Sequence, residues 1–579
     1  MAVMIGAMAI RLIPLIDFTL WGSDWGEYYT LTQGLVDSGS HVEVNPGWGK
    51  AYVDFPGLFD LAGGFALVTG TSVATTITLA IPCVTAISCL LVACIVLRLG
   101  GGPCGALFAA CILAVVFPEV YANSHPAPGP LGSVLVMAIM LIFVIGDRWR
   151  RDEDVDANRP LVMYILFTLL IAALAITHHL SLFFVILGLG VVYLLRMALV
   201  HGTEDARSTW GLATFGIALA AATFYWLIIA TTFRDAVMLD LFGIPGQIVI
   251  AAAWIGVIVM VLLGLWLRGR RSSVPDTLFW GPGQLRATVL AFLVCGVLII
   301  GLSAVFGVPG TDIQPGTGLA LYTIPVVVAF AVGVGSTDVL LRRHGGHVIV
   351  GWVTALVASF LFAVVIRSEV LVPYRHLPYI AEASAVLIGI GIVHLRRMTL
   401  PEGRAISRAI GVAATLLIVV LVATAYPPKE VMAGFQEGTN QSEVEASIWL
   451  RNGLPEPGAI VDDDSSGAVV TDHRLSSMSF GIGDKMATWD KGGAVLYGGR
   501  DAATLEALGD VETPNGDRPV AAVFLSEDFR TGAALSQFES AEPVEGEAWD
   551  KFFGPPFVRL YDGGDVWVFG VPQPVTGWS

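Results

Sequence analysis

The chain has 579 residues, of which 55% are hydrophobic and only 14% are charged, and its mean hydropathy is +0.73. Soluble domains usually carry about 25% charged residues, so this composition excludes an ordinary soluble protein and predicts that most of the chain lies in a lipid bilayer. The formal net charge of −16 excludes binding to nucleic acid, or to anionic headgroups, through an overall positive charge.

Apolar segments of roughly the length that a membrane-spanning helix needs, about 20 residues, recur along the first 425 residues. We predict spans at residues 1–17, 74–98, 104–121, 129–146, 160–177, 180–199, 210–231, 247–267, 285–306, 319–340, 347–366, 378–395 and 405–425. Arg11 interrupts the first of them, unless it sits at the outer membrane edge. The pattern therefore predicts an all-helical membrane domain of about 13 transmembrane helices at 1–425.

Arginine clusters between the apolar segments set the expected orientation. They lie at 148–151, 268–271, 342–343 and 396–404. Short cytoplasmic loops are enriched in Lys and Arg, and with thirteen spans all of these clusters fall on one side. We therefore expect a multi-pass protein of the cell membrane with a cytoplasmic N-terminus, a long first outer loop at 18–73 and an extracytoplasmic C-terminal end.

Residues 426–579 differ from the rest of the chain in charge and in pattern. They contain 25 acidic and 10 basic residues, and therefore nearly all of the net negative charge. We expect a helix that ends at Gly453. Short β-like runs follow at 459–461, 468–470, 521–525, 557–561 and 566–571. A glycine-containing turn separates the last two runs and predicts a hairpin. We therefore predict a small, acidic α/β domain at 426–579.

The first outer loop begins with a polar motif, GSDWGEYY at 22–29. Asp24 and Glu27 are three residues apart, so on a helix that starts here both carboxylates can face one cavity. Such a pair can bind a divalent cation, or one acid can act as general base toward an acceptor hydroxyl. Alternatively, Asp24 is only an N-cap and Glu27 only the third residue of a capping box.

Polar residues in two other outer segments are candidates for substrate binding. Glu119, Asn123 and His125 lie in the second outer loop, at 118–126. They complete a metal site with Asp24, or contact a sugar, or only solvate the loop. His178, at the outer end of the fifth predicted span, either contacts a sugar or lipid phosphate or caps the helix end.

Tyr374 and Arg375 precede the twelfth predicted span. An arginine at the outer interface can bind a phosphate in bidentate fashion. The alternative is an ion pair with Glu369 or Glu382. In the C-terminal domain, residues 472–474 (DHR) either face the membrane site or lie on the surface.

These motifs carry a resemblance to a known family. An Arg-Leu pair at 11–12, the 22–29 motif and the Phe-Pro-Gly-Leu run at 55–58 resemble the start of the GT-C superfamily of membrane glycosyltransferases. The resemblance implies that Asp24 is the catalytic or metal-binding acid, with Glu27 beside it. It implies that Arg375 contacts the phosphate of a lipid-linked donor.

The same resemblance bears on the cofactor and on the acceptor. Glu119 occupies the place of the superfamily's second acidic motif, so a divalent cation, Mg²⁺ or Mn²⁺, held by Asp24 and Glu119 is a candidate cofactor. Residues 449–461 are similar to the opening of the oligosaccharyltransferase exodomain, but 462–467 (DDDSSG) stand where a Trp-Trp-Asp-Tyr-Gly motif is expected. The loop at 307–318 is also short. Both departures argue against peptide N-glycosylation.

The sequence thus predicts an inverting glycosyltransferase. It would move a sugar from a polyprenyl (dolichyl) phosphate carrier in the bilayer to a glycan, lipid or protein acceptor outside the cytoplasm, with Asp24 as base. Two alternatives remain: a transporter or flippase, or a non-catalytic membrane subunit that presents the acidic domain. Charged residues at helix ends rather than within helices count against a transporter.

Overall fold

The computed structural model describes most of the chain. The described residues are 2–45, 47–149, 159–199, 210–235, 246–269, 282–307, 313–314, 317–343, 345–366, 371–398, 404–432, 434–454, 467–488, 492–535 and 541–573. The predicted β-like run at 459–461, the DDDSS stretch at 462–466 and Glu369 lie outside them.

Long apolar helices dominate the first 425 residues. Within the described ranges, nine are long and apolar enough to cross a membrane: Val73–Arg98, Pro128–Asp147, His179–Ala198, Trp210–Ile229, Ala287–Phe306, Leu319–Leu341, Gly346–Ile366, Pro373–Arg397 and Arg404–Ala423. Shorter apolar helices are Ala2–Arg11, Gly57–Thr69, Gly102–Val115, Leu161–Ala175 and Trp254–Trp266. Four predicted spans, at 1–17, 104–121, 160–177 and 247–267, coincide with shorter helices, so the count of thirteen stays a prediction.

Close helix contacts in the membrane domain depend on small residues. A Cβ atom on Gly389 would lie 2.4 Å from the carbonyl oxygen of Gly105 and 2.7 Å from the Cβ of Ala109. Small residues let helix backbones approach closely where lipid offers no hydrophobic driving force for association. Ala287–Phe306, by contrast, has none of its residues buried inside the protein, which is typical of a helix that faces lipid.

The first outer loop is folded rather than extended. It contains strand β1 (Leu20–Trp21), helix Trp25–Ser38, the 3-10 helix Lys50–Asp54 and helix Gly57–Thr69. The helix that carries Asp24 at its start ends where Gly39 adopts a left-handed conformation with φ of 67°, which glycine tolerates without a steric penalty.

The C-terminal domain is a mixed sheet with helices, as predicted. Its strands are β2 (Gly438–Thr439), β3 (Ala468–Val470), β4 (Ala487–Thr488), β5 (Val511–Thr513), β6 (Gly516–Arg518), β7 (Val520–Ser526), β8 (Val558–Asp562) and β9 (Val566–Gly570). Its helices are Gln441–Gly453, His473–Gly481, Gly493–Tyr497, Ala502–Gly509 and Glu547–Asp550. Five strands pair in the order β4-β3-β7-β9-β8. The predicted hairpin is confirmed as β8–β9, which is antiparallel.

The C-terminal domain docks directly on the first outer loop. Strand β1 pairs antiparallel with β2, so that Leu20 lies opposite Thr439. Helix Trp25–Ser38 packs against helix His473–Gly481 with almost no space between their backbones, since a Cβ atom on Gly26 would lie 1.9 Å from the carbonyl oxygen of Ser477. These contacts bring the start of one helix to the start of the other.

Candidate active site

Asp24 lies at the start of helix Trp25–Ser38, but its side chain does not cap that helix. Its Oδ2 accepts hydrogen bonds from the hydroxyl of Tyr28 at 3.2 Å and from that of Tyr52 at 3.5 Å. Burial, and then the neighbouring Tyr52 and Asp24, raise the pKa of Tyr28 well above its usual value. Burial and then Asp24 likewise raise the pKa of Tyr52. Both phenols therefore stay protonated and donate to a carboxylate whose side chain is 37% exposed.

His473 of the C-terminal domain is the other close neighbour of Asp24. Its Nε2 lies 3.4 Å from Asp24 Oδ1. His473 is the first residue of its helix, which Asp472 caps by accepting a hydrogen bond from the Leu475 amide at 2.8 Å. Sequence reasoning left the Asp-His-Arg run open between the site and the surface and did not include His473 among the site residues. The structure places it at the site.

Glu27 is directed away from this cluster and into the first outer loop. It is 5% exposed and accepts hydrogen bonds from the amides of Trp48 at 2.8 Å and Gly49 at 3.0 Å. Burial, and then the charge of Asp24, raise the pKa of Glu27 to about 7. A Cβ atom on Gly49 would lie 2.3 Å from Glu27 Oε2, so the chain can fold around this carboxylate only with glycine there. Glu27 holds the turn that brings Tyr52 to Asp24.

Arg375 and His178 belong to the neighbourhood of Asp24. Arg375 lies in the 3-10 helix Pro373–His376 and interacts electrostatically with Tyr374, Tyr52 and Asp24. It also interacts with His178, whose Nδ1 lies 2.7 Å from the hydroxyl of Ser181. Tyr374 is 40% exposed. Arg375 is thus close enough to Asp24, Tyr374 and His178 to interact electrostatically with each, and their roles in binding and catalysis stay predictions.

The Phe-Pro-Gly motif explains how these segments meet. The amide of Gly57 donates to the carbonyl of Ile176 at 2.9 Å, and a Cβ atom on Gly57 would lie 2.3 Å from Thr177 Oγ1. The ring of Phe55 lies 5.2 Å from that of His179. The motif therefore fastens the first outer loop to the segment that carries His178.

Glu119 and Asn123 form a separate, closed network. Glu119 is fully buried and its Oε1 lies 2.8 Å from Arg11 Nη2. Asn123 donates to Glu119 at 2.7 Å and to Ser133 at 3.3 Å, and Ser133 donates to Glu382. Glu382 thus accepts a hydrogen bond from Ser133.

The predicted metal ligands, Asp24 and Glu119, therefore meet different partners. Among the described residues, no group of three or more His, Cys, Asp or Glu side chains is placed to hold a metal ion. Mg²⁺ and Mn²⁺ prefer carboxylate, carbonyl and water oxygens, whereas Asp24 is surrounded by two phenols and an imidazole. This donor set does not fit a divalent cation held by protein ligands.

His125 lies beside the loop that carries Asp24 and contacts neither Asp24 nor Glu119. Its ring is 5.4 Å from that of Tyr121, and its Nε2 is 4.0 Å from Glu437 Oε2. Glu437 accepts a hydrogen bond from the amide of Ser23 at 2.8 Å. Burial favours a raised pKa for Glu437, but His125 and the Ser23 amide outweigh it and the pKa is lowered. Through Glu437, His125 thus helps to hold the backbone of Ser23, the residue before Asp24.

Sequence comparisons give no relatives: no family model matches, and no curated protein matches the chain. Solved structures do match. The Archaeoglobus fulgidus oligosaccharyltransferase AglB, in complex with an inhibitory peptide and a dolichol-phosphate, aligns over 99% of this chain and 74% of its own, with a TM-score of 0.55 and 13% identity. This is the GT-C fold.

Two further structures of the Archaeoglobus enzyme give the same result. With an NVT-containing acceptor peptide tethered through a disulfide bond, it aligns over 91% of this chain and 69% of its own, with a TM-score of 0.57 and 15% identity. Its complex with Zn and sulfate aligns over 91% and 68%, with a TM-score of 0.56 and 14% identity. At these identities the likeness is one of fold alone.

Proposed function

We propose that the protein is a membrane glycosyltransferase that transfers a sugar from a polyprenyl (dolichyl) phosphate carrier to an acceptor outside the cytoplasm. The observation that carries this proposal is the cluster at Asp24, where a partly exposed carboxylate shares one electrostatic neighbourhood with Arg375. The residue that we propose as base for the acceptor and the one that we propose as cation for the donor phosphate are thus close enough to interact electrostatically. The GT-C fold supports the proposal, since an AglB structure of this fold contains a dolichol-phosphate.

The proposed chemistry is a single displacement. Asp24 accepts the proton of an acceptor hydroxyl, and the hydroxyl oxygen forms a bond to the anomeric carbon of the sugar. The bond between that carbon and the phosphate oxygen breaks, and its electron pair stays on the phosphate. Arg375 stabilises the phosphate charge that develops as the bond breaks. Attack opposite the leaving group inverts the anomeric configuration.

The remaining site residues act on binding and on geometry. We propose that Tyr374 and His178 contact the donor, because both share the neighbourhood of Arg375. Tyr28 and Tyr52 hold Asp24, and Glu27 holds the turn that carries Tyr52. The acceptor is a glycan, lipid or protein group. Residues 462–467 lack the motif with which oligosaccharyltransferases read peptides, so we do not propose peptide N-glycosylation.

The test is a transfer assay with labelled polyprenyl-phosphate hexoses in membranes that contain the full-length chain and their endogenous acceptors. Asp24→Asn and Asp24→Ala should each lower transfer by about 10²- to 10⁴-fold, the usual contribution of a general base. Asp37→Asn is the matched control, since Asp37 is an exposed acid on the same helix. Unchanged transfer in both Asp24 variants would contradict the proposal and favour a non-catalytic membrane subunit.

We also propose that the site and the C-terminal domain lie outside the cytoplasm. The six native cysteines all lie before residue 426; with each replaced by serine, a cysteine at exposed Asp517 of β6 can be tested alone. A membrane-impermeant maleimide should label Asp517→Cys in intact cells. Arg342→Cys, at an exposed position predicted to be cytoplasmic, should be labelled only after lysis. The reverse result would invert the orientation.

A further inference from the structure

A residue of the C-terminal domain lies against the proposed base. Nε2 of His473 is 3.4 Å from Asp24 Oδ1, and the two side chains are 29% and 37% exposed. We propose that His473 is the positioning residue for Asp24, so that the active site is complete only when the C-terminal domain is docked on the first outer loop. This inference rests on the proposed function and extends it, because it makes the outer domain part of the catalytic apparatus.

The position of His473 is fixed by its own helix. Asp472 caps helix His473–Gly481, and the amide of His473 donates to the carbonyl of Ala534 at 2.9 Å. The opposite end of the helix is fixed too, since a Cβ atom on Gly481 would lie 2.2 Å from the carbonyl oxygen of Gly26. Both ends of the helix that carries His473 thus lie against neighbouring backbone, which limits how the helix can shift relative to Asp24.

One polar contact joins this helix directly to the first outer loop, and others fasten it to β2 and to the next helix of its own domain. The hydroxyl of Ser477 accepts a hydrogen bond from the amide of Glu27 at 3.2 Å. Arg474, the residue after His473, donates to the carbonyl of Gly438 at 2.7 Å and to Glu443 Oε1 at 2.8 Å. Gly438 belongs to β2, which pairs with β1 just before Asp24. The pairing of β1 with β2 therefore sets where His473 meets Asp24.

The charges around His473 suit a role between the two domains. His473 interacts electrostatically with Glu437 and Asp472 in addition to Asp24, while Arg375 interacts with Asp24 from the membrane domain. The imidazole thus interacts with three carboxylates, one on the first outer loop and two on the C-terminal domain. An imidazole N–H is a donor that such acidic groups can share.

The same geometry explains how Asp24 stays available as a base. Oδ1 lies next to His473, and Oδ2 accepts from Tyr28 and Tyr52. A carboxylate has about four lone-pair sites, so contacts on both oxygens fix the rotation of the group and still leave a lone pair for the acceptor proton. A carboxylate held in this way is preorganised for the reaction.

The test measures donor-dependent transfer for the full-length chain with His473→Ala and His473→Gln, using a labelled polyprenyl-phosphate hexose. We expect His473→Ala to lower kcat by about 10- to 100-fold, as loss of a positioning contact usually does, with KM for the donor unchanged. Gln restores a side-chain N–H donor, so His473→Gln should recover most of the rate. His41→Ala is the matched control, since His41 is exposed and pairs only loosely, at 3.5 Å, with Asp60.

A second measurement separates positioning from folding. Because His473 acts through Asp24, the double variant with both Asp24→Asn and His473→Ala should transfer sugar no more slowly than Asp24→Asn alone. If His473→Ala does not fold, as judged by its melting temperature, His473→Gln replaces it in the test. The transfer rate of His473→Gln is then compared in the wild-type and in the Asp24→Asn background. Wild-type kcat in His473→Ala, a loss confined to KM, or additive losses would overturn the inference while the proposed function stands. No transfer by the wild-type chain would overturn both.

Discussion

Asp24 and Glu119 are acids of neighbouring outer loops, and the structure gives them opposite surroundings. Asp24 remains 37% exposed among phenols and an imidazole, within the field of Arg375. Glu119 is fully buried and paired with Arg11. A carboxylate that must exchange a proton with a substrate needs access and a lone pair, whereas a carboxylate that is paired inside the protein cannot give up its partner without a large penalty.

The difference also explains the arginine in the first helix. Arg11, the last residue of helix Ala2–Arg11, is 1% exposed, so its side chain is surrounded by protein. Its guanidinium donates a hydrogen bond to the carboxylate of Glu119, where the first helix packs against the segment that carries Glu119. The comparison therefore separates the acid that we propose as the catalytic base from an acid paired inside the protein, and each of the following measurements tests that distinction.

The largest expected effect on stability is that of Glu119. Glu119→Ala leaves the guanidinium of Arg11 without an anion where water is excluded, and breaking a buried pair in this way costs about 3–5 kcal/mol of unfolding free energy. We expect a large fall in melting temperature in detergent. Replacing both partners, Arg11→Leu with Glu119→Leu, should recover much of the loss, because no unpaired charge remains.

Asp338→Ala is the control for this prediction. Asp338 pairs with Arg342, whose side chain is 54% exposed, and such a pair contributes about 0–1 kcal/mol. The distinction between Asp24 and Glu119 would fail if Glu119→Ala kept the wild-type melting temperature and abolished transfer. Glu119 would then belong to the reaction site, as its place in the sequence suggested.

The next effect concerns Glu27 and pH. Its pKa rises from an ordinary 4.5 to about 7 on folding, so between these values the folded state holds a proton that the unfolded state has lost. Stability therefore falls as pH rises through this window, by about 3 kcal/mol. We expect the turn at 47–54 to resist limited proteolysis better at pH 5 than at pH 8.

Glu27→Gln should remove this pH dependence, because an amide does not titrate. Asp37→Asn, at an exposed position on the same helix, should leave it in place. An unchanged pH profile in Glu27→Gln would mean that another group is responsible and that Glu27 is not the residue that holds the turn.

Much of this arrangement could be predicted from the sequence, and the failures have one cause. The length of the apolar runs predicts the membrane domain, and two β-like runs around a glycine-containing turn predict the β8–β9 hairpin, because both signals are local. The sequence also indicates Asp24 and Glu119 as candidate acids. It does not indicate their partners, because Arg11 is 108 residues from Glu119 and His473 lies in the other domain. Burial and pairing are properties of distant contacts, which spacing in one sequence does not encode.

A smaller effect is expected on donor binding. Arg375→Gln should weaken binding of polyprenyl phosphate by about 10- to 100-fold, since a hydrogen bond to a charged group contributes about 1.5–3 kcal/mol. Arg375→Lys should lie between, because lysine keeps the charge and loses the bidentate geometry. Arg234→Gln is the control, as Arg234 pairs with Asp235 at an exposed site. Equal affinity in all three variants would remove Arg375 from the donor site.

The smallest expected effect is that of a chelator. Asp24 has phenols and an imidazole as partners, and Glu119 is occupied by Arg11, so Arg375 is the cation that we assign to the donor phosphate. Transfer should therefore be the same with and without EDTA, and added Mg²⁺ or Mn²⁺ should not raise it. A rate that EDTA abolishes and Mn²⁺ restores would mean that Asp24 gains a further oxygen ligand when the donor binds. Asp24 would then be a metal ligand. The difference between Asp24 and Glu119 would lie in what each carboxylate binds, and not only in whether substrate can reach it.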